Sequence, residues 1–282
     1  LFYAVQIYGD FSGGTDITRG AAQMMGIDLP VNFEQPFFAT SMADFWHRWH
    51  MSLGAWMREY VFYPVMLSKP VTAVSKFCRK KYGAHIGKVV PSVAAPMVVF
   101  FLMNIWHGLG AQRVTNAFYN AFIISSTVAL TPAYKKLGEK LHVNTECFSF
   151  RLFQMARTFA LLCVSRIITL APSLSVAFDM LKSLIRGRIF LTARGLDFML
   201  GGSKEIFTYG VNRKNMIVLL FAVLIMFTVE IIRESGVKIR ESLAKQNTLF
   251  RWAVILCLML IILVFGIYGP GYNPRDFIYG GY

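Results

Sequence analysis

The chain has 282 residues, 55% of them apolar and only 16% charged, with a mean hydropathy of +0.49. A charged fraction far below the roughly one quarter usual in soluble domains excludes an ordinary soluble protein and predicts an all-α, polytopic integral membrane protein. The formal charge of +14 would suggest nucleic acid in a soluble chain; here the basic residues fall between apolar segments, as the positive-inside rule expects, so no nucleic-acid partner is expected.

The chain opens on Leu1 to Tyr8, without Met and partway along an apolar helix. It is therefore expected to be a fragment, with residues 1–282 forming one membrane-embedded domain. Gly9-Asp10-Phe11-Ser12-Gly13-Gly14-Thr15-Asp16 predicts a glycine-rich break, read either as a cavity wall at membrane depth or as an ordinary helix-connecting turn. Asp10 and Asp16 would be structural acceptors or cation partners. Residues 18–26 read as a short helix stopped by Gly26, and Pro30 and Pro36 bracket an extended stretch.

From Ser41 to Tyr60 the residues Trp46, Trp49, His50, Leu53, Trp56, Met57 and Tyr60 recur at intervals of three and four. That spacing predicts one amphipathic helix, opened by Ser41 with Asp44 at the capping-box position. His50 lies between tryptophans, while His47 and Arg48 sit off to its side. The stripe fits an aromatic membrane-interface helix, because Trp, Tyr, Arg and His all favour the headgroup zone, and it also fits a reactive site. After Tyr63-Pro64 comes a basic segment with Lys69, Lys76, Arg79, Lys80, Lys81 and Lys88. It is expected to be a solvated cytoplasmic loop, with anionic lipid or an acidic protein as the other reading.

Val89 to His107 is apolar and long enough to span a bilayer core of about 20 residues. Gly108 and Gly110 stop it, leaving His107 on the last turn. There the helix dipole favours the imidazolium and burial favours the neutral ring, so sequence leaves the sign of the shift open. An ionisable group at that depth is costly, which makes His107 a functional candidate. Val114 to Leu130 is the next expected span, with Asn116, Tyr119 and Asn120 on one face, either lining the same cavity as His107 or bonded to neighbouring helices. Phe150 to Ala171 follows, with Arg157 and Arg166 facing protein or snorkelling. Leu174 to Arg186 reads as an interfacial helix within a changed pattern running to Lys214, and Asn215 to Ile232 and Phe250 to Tyr268 are the last spans. With the segment after Tyr60 inside, alternation puts the basic 132–149 and 234–249 loops inside and leaves the basic 172–214 segment outside, against the positive-inside rule.

Cys78, Cys147, Cys163 and Cys257 are widely spaced with no CxxC pair, so neither a disulfide framework nor a zinc site is expected. His47 and His50 at i, i+3 lack a third ligand, and no metal site is assigned. The HxxxxD and GxSxG patterns are absent. Two histidines in or near the membrane, without a nucleophile motif, point to general-base chemistry, in which a neutral imidazole takes the proton of a hydroxyl that attacks an activated acyl group.

Phe45-Trp46-His47-Arg48-Trp49-His50-Met51-Ser52-Leu53, then Trp56-Met57-Arg58-Glu59-Tyr60, then Asn104-Ile105-Trp106-His107-Gly108 resemble the membrane-bound O-acyltransferase family. The likeness is to its bacterial branch, which includes the membrane subunits of alginate and peptidoglycan O-acetylation and the teichoic-acid D-alanylation protein. Asp10 to Asp16 and the closing Asp276-Phe-Ile-Tyr also resemble that branch. Three departures stand out: His47 where the branch commonly has Arg, Gly-Thr in place of an aromatic-Ser pair in the first turn, and a Gly-Gly-Tyr end. The resemblance implies spanning helices with interfacial and re-entrant ones, and several family helices ahead of Leu1. It maps the catalytic histidine to His107 and the preceding motif histidine to His50, which would orient or polarise the acyl donor. Trp46, Trp49, Asn104, Trp106 and Asn120 are the expected substrate contacts.

By the same resemblance no cofactor stays bound. Acetyl-CoA or a carrier-protein thioester would arrive from the cytoplasm. The acceptor would be a hydroxyl of an extracytoplasmic cell-envelope glycan, or a secreted or membrane-anchored partner acyltransferase. The setting would be the cell membrane and its lipid. A transporter or channel using His107 and the polar helix faces as its path, and a docking scaffold indifferent to both histidines, are the rival classes.

Overall fold

The computed structural model describes residues 2–186 and 213–266, and among them the regular structure is helical. The helices are α1 (Phe2–Met24), α2 (Met42–Arg48), α3 (Met51–Met57), α4 (Tyr63–Leu67), α5 (Lys69–Tyr82), α6 (Ala84–Trp106), α7 (Ala111–Ala129), α8 (Thr131–Lys140), α9 (Phe148–Leu170), α10 (Leu174–Arg186), α11 (Arg213–Glu234), α12 (Ile239–Ala244) and α13 (Thr248–Phe265). Arg58–Phe62 widens into a π turn between α3 and α4. Among the described residues four helices are long and apolar enough to cross a membrane: Ala84–Trp106, Phe148–Leu170, Asn215–Glu234 and Thr248–Phe265. The molecule is thus an all-α polytopic membrane protein, as its composition requires. α7 is not among the four, because Asn116, Asn120 and Ser125 polarise one of its faces.

The chain divides into two units. The first comprises Leu1–Ala4 and Gly14–Ile185, and it contains both histidine motifs. Its centre is the α6–α7 pair, where buried Phe100, Ala117 and Ala121 meet Trp46, Met97, Met103 and Ile124. Small residues such as Ala95, Ala117 and Ala121, all 2% exposed or less, let backbones approach closely, which is how helices associate where lipid offers no hydrophobic drive. The second unit, Val5–Gly13 with Arg186–Tyr282, carries α11 and α13, whose apolar side chains are largely exposed, and a Glu230–Arg233 ion pair of 2.9 Å within α11.

Three expectations are corrected. The glycine-rich stretch does not break the first helix, since α1 runs from Phe2 to Met24 and takes in the separate helix expected at 18–26. A helical glycine costs about 1 kcal/mol, and the burial of Ala4, Ile7, Tyr8 and Ala22 outweighs that cost. Asp16 does partner a cation, Arg19, at 3.4 Å. The basic segment after Pro64 is not a loop but α5, which returns against α6 as a helical hairpin through Gly83, where φ is +95°. The aromatic stripe is two helices, α2 and α3, and the break falls at Trp49 and His50. α6 and α9 match the expected spans to within a few residues at each end, α10 coincides with the interfacial helix, and Tyr268, residues 187–212 and the 269–282 tail lie outside the described residues.

The α5–α6 hairpin depends on a hydrogen at Gly87. A Cβ there would fall 2.7 Å from Arg79 Cβ and 3.1 Å from the Ser75 carbonyl oxygen, while Ser75 Oγ donates to the Gly87 carbonyl at 2.6 Å. Gly87→Leu is expected to cost about 1–3 kcal/mol through overpacking. Thermal unfolding of the detergent-solubilised full-length protein checks this, and an unchanged midpoint would count against the close approach.

Candidate active site

Ser41 caps α2 by accepting from the Asp44 amide at 3.1 Å. Asp44 accepts from the Thr40 amide at 2.9 Å and pairs with Arg48 at 2.9 Å. This short helix buries Phe45 at 1% exposure, with the Trp49 ring stacked on it at 5.4 Å and Phe33 edge-on to Trp49 at 4.9 Å. Trp49 then leaves the helix in extended conformation and bridges to Phe33, and the Glu34 amide bonds the Arg48 carbonyl at 3.0 Å.

His50 follows in the left-handed region, φ 49° and ψ 55°. Left-handed backbone is uncommon for a residue with a Cβ and concentrates at functional sites. It is held there by Asn32. The Met51 amide bonds the Asn32 carbonyl at 3.0 Å, Asn32 Oδ1 accepts from the Ser52 amide at 3.2 Å and from Ser52 Oγ at 2.6 Å, and His50 Nδ1 lies 3.3 Å from the same oxygen. A side chain remote in sequence thereby caps α3, because the N-cap residue, His50, makes no side-chain cap of its own.

His107 stands one residue past the α6 span as its C-cap, its ring 5.2 Å from the exposed Trp106 ring. Gly108 follows at φ +116°, and a Cβ there would lie 3.6 Å from Arg113 Nε. Burial pushes the His50 imidazole down to about 4, helped by the charge His107 would carry. Burial also lowers His107, reinforced by the positive charges of Arg113 and Arg166. Burial and the two arginines thus all favour the neutral form of His107, and His50 is neutral at pH 7. Arg166 reaches the same place from α9, with its guanidinium 5.2 Å from the Trp49 ring centre.

Of the expected site residues, the structure thus brings His50, His107, Trp49 and Trp106 into one neighbourhood. His47 is exposed on the far side of α2. Trp46 belongs to the core, edge-on to Phe100 at 5.3 Å, with its Nε1 buried and without an acceptor among the described residues. Asn104 and Asn120 lie in an inter-helix network. Asn116 Nδ2 donates to Asn104 Oδ1 at 3.1 Å, and Asn116 Oδ1 accepts from Asn120 at 3.1 Å and from Ser165 Oγ at 2.7 Å. Tyr119 donates to the Leu161 carbonyl at 2.9 Å, so the polar face of α7 is used to bind α6 and α9. Arg157 likewise faces protein, donating to the Thr40 carbonyl at 2.8 Å. Among the described residues no group of three or more His, Cys, Asp or Glu could hold a metal, and all four cysteines are free thiols.

Two contributors escaped sequence reasoning. Asn32 carries no periodic or motif signal, and Arg113 falls just ahead of the span expected from Val114. Arg166 did carry one, as an ionisable group within a span.

No family model matches the chain. Curated proteins do. It is 34% identical over 123 residues to a teichoic acid D-alanyltransferase of Bacillus subtilis, covering 44% of this chain and 29% of that protein. It is 27% identical over 177 residues to a probable alginate O-acetylase AlgI of Pseudomonas syringae, covering 63% and 29%. A peptidoglycan O-acetyltransferase of Helicobacter pylori is 25% identical over 185 residues, covering 66% and 30%. The match takes in less than a third of the length of each of these three relatives. The chain is thus similar, over part of their length, to bacterial proteins named for teichoic acid D-alanylation, alginate O-acetylation and peptidoglycan O-acetylation.

Proposed function

We propose that the protein is a membrane O-acyltransferase, multi-pass in the cell membrane, that moves an acyl group, most simply acetyl, from a thioester to a hydroxyl. The observation that carries this reading is that His107, from one motif, lies close enough to His50, from another, to disfavour charge on it, while Arg113 and Arg166 disfavour charge on His107. His107 takes the proton of the acceptor hydroxyl as its oxygen attacks the thioester carbonyl. The carbon–sulfur bond then breaks, and the thiolate leaves with the proton from His107. Arg113 and Arg166 supply fixed positive charge where the carbonyl oxygen becomes negative. The donor is acetyl-CoA or a carrier-protein thioester from the cytoplasm, with no cofactor retained. The acceptor is a cell-envelope glycan hydroxyl, reached directly or through a partner acyltransferase. The relatives' names, an O-acetylase, a D-alanyltransferase and an O-acetyltransferase, support transfer chemistry and give no support to a transporter.

Membrane vesicles containing the full-length protein test this with labelled acetyl-CoA and labelled carrier thioester. Label moving into glycan or partner protein is expected. Proton-coupled flux without thioester consumption would overturn the reading.

The electrostatics add a pH prediction. A base must be unprotonated, so rate falls as pH drops through its pKa; because that of His107 lies below 6.5, transfer stays on its plateau somewhat below that pH. Arg113→Gln with Arg166→Gln removes two charges that disfavour the imidazolium, so the acid limb of kcat/KM moves to higher pH. A limb that stays put or moves down would contradict the assignment.

A further inference from the structure

We propose that α8 and the C-terminal half of α5 form one membrane-surface platform that binds anionic phospholipid headgroups. Both helices stand at the same end of the α6–α7 pair. α5 runs into α6 through Gly83, and α8 begins at Thr131 directly after α7. His85 Nε2, in the first turn of α6, lies 3.0 Å from the Ala129 carbonyl oxygen at the end of α7. Pro132, in the first turn of α8, has no N–H with which to continue the ladder of α7, so a separate helix starts there. Along α8, Leu130, Tyr134, Leu137 and Leu141 recur at intervals of four, three and four, which sets them on one stripe, and all four are exposed. Lys135, Lys136 and Lys140 occupy the rest of the helix surface. An exposed apolar stripe flanked by lysines is the pattern of a helix that lies in the plane of a bilayer interface.

The outer face of α5 has the same chemistry. α5 packs on α6 at Gly87, through Ser75 and the stem of Arg79, so Lys76, Lys80 and Lys81 fall on the face turned away, with Phe77 among them. All four are exposed, and Lys81 Nζ lies 5.8 Å from the Phe77 ring centre. None of the six lysines on the two helices forms an ion pair among the described residues. Between Glu59 and Glu139 the chain holds no Asp or Glu, so the charge of α5 meets no carboxylate of its own segment. Lipid phosphates supply the missing negative charge. The apolar side chains decide between lipid and an acidic protein as the occupant. The apolar run of α6 starts at Val89, just past Gly87, so the stripe and Phe77 sit where a span leaves the bilayer and the headgroup zone is already at hand. Alternation also assigns this basic end to the cytoplasm, whose leaflet carries a negative surface potential. The platform is independent of the acyl-transfer reading.

Hydrogen–deuterium exchange of the full-length protein in lipid nanodiscs reads the platform where it sits, because short exposed helices open readily unless something covers them. With phosphatidylglycerol mixed into phosphatidylcholine, residues 76–82 and 131–141 are expected to exchange more slowly than in phosphatidylcholine alone. Lipid retained through detergent extraction from the mixture should be richer in phosphatidylglycerol than the bulk. Lys135→Gln with Lys136→Gln and Lys140→Gln is expected to lower that enrichment by about fivefold or more, since each lysine near a charged surface is worth about that factor. Lys135→Arg with Lys136→Arg and Lys140→Arg keeps the charge and should keep the enrichment. All three positions are exposed, so both triple variants should fold, which unchanged thermal unfolding verifies. The proposal is overturned by retained lipid that matches the bulk ratio, or by a glutamine variant as enriched as the wild type. Equally slow exchange in both lipids would also overturn it, because protein would then cover the stripe. So would protection that phosphatidylglycerol fails to give and an added acidic acyl-carrier protein does, which would assign the surface to a protein partner.

Discussion

Replacing His107 with alanine is expected to lower acyl transfer by about a hundred- to ten-thousandfold, the range for a general base, with little change in folding. His107 caps α6 and is only half buried, so its removal opens no sealed cavity. The loss should appear in kcat at saturating thioester, because the proton is taken in the transition state and not on binding. His50→Ala should weigh more on KM, since that ring orients a substrate group. The double variant should lose less than the product of the two single losses, because two groups acting on one transition state are not independent. Initial rates in vesicles, with protein quantified by fluorescence of a fused reporter, decide this. A His107→Ala protein that is correctly inserted and transfers normally would remove the catalytic assignment.

The second large effect is on stability. Phe45 is 1% exposed, stacks on Trp49 and meets Trp46 edge-on at 5.4 Å. Truncation to alanine is expected to cost about 3–5 kcal/mol, combining lost burial with the void left behind. Trp49 would lose its stacking partner, and with it the surface on which Arg166 rests. Phe45→Ala should therefore also reduce transfer at temperatures where the protein remains folded, while Phe45→Leu should retain most of both properties. Chemical denaturation in detergent measures the first effect, and a loss under about 1 kcal/mol would show that α2 is not anchored by this ring.

Sequence carried the spans well where a run of about 20 apolar residues leaves few alternatives, as in α6 and α9. It also singled out His107, because a glycine pair stops α6 just after it. The aromatic stripe misled in one respect. Its spacing of three and four fits a continuous helix, yet the chain turns at Trp49 and His50 because Phe33 and Asn32, remote in sequence, offer a bridge and a cap that a helix through this point would forgo. Nothing local announces such partners. The glycines of α1 misled in the opposite direction, since turn propensity of about 1 kcal/mol per residue yields to packing that sequence does not display. Lys69 to Tyr82 reads as a loop when charge alone is weighed, and Gly87, whose bare backbone admits α5 alongside α6, gives its role away only in three dimensions. Asn116, Tyr119 and Asn120 of α7 had two readings, cavity or helix contact, and their hydrogen bonds to Asn104, Leu161 and Ser165 favour the second.

The central claim is that a neutral His107 removes the proton of an acceptor hydroxyl. Its most direct test is rescue of His107→Ala in the full-length protein by added imidazole, following labelled acyl transfer across pH. The account predicts partial recovery that rises with the fraction of neutral imidazole. Transfer by His107→Ala at the wild-type rate before any imidazole is added would contradict it.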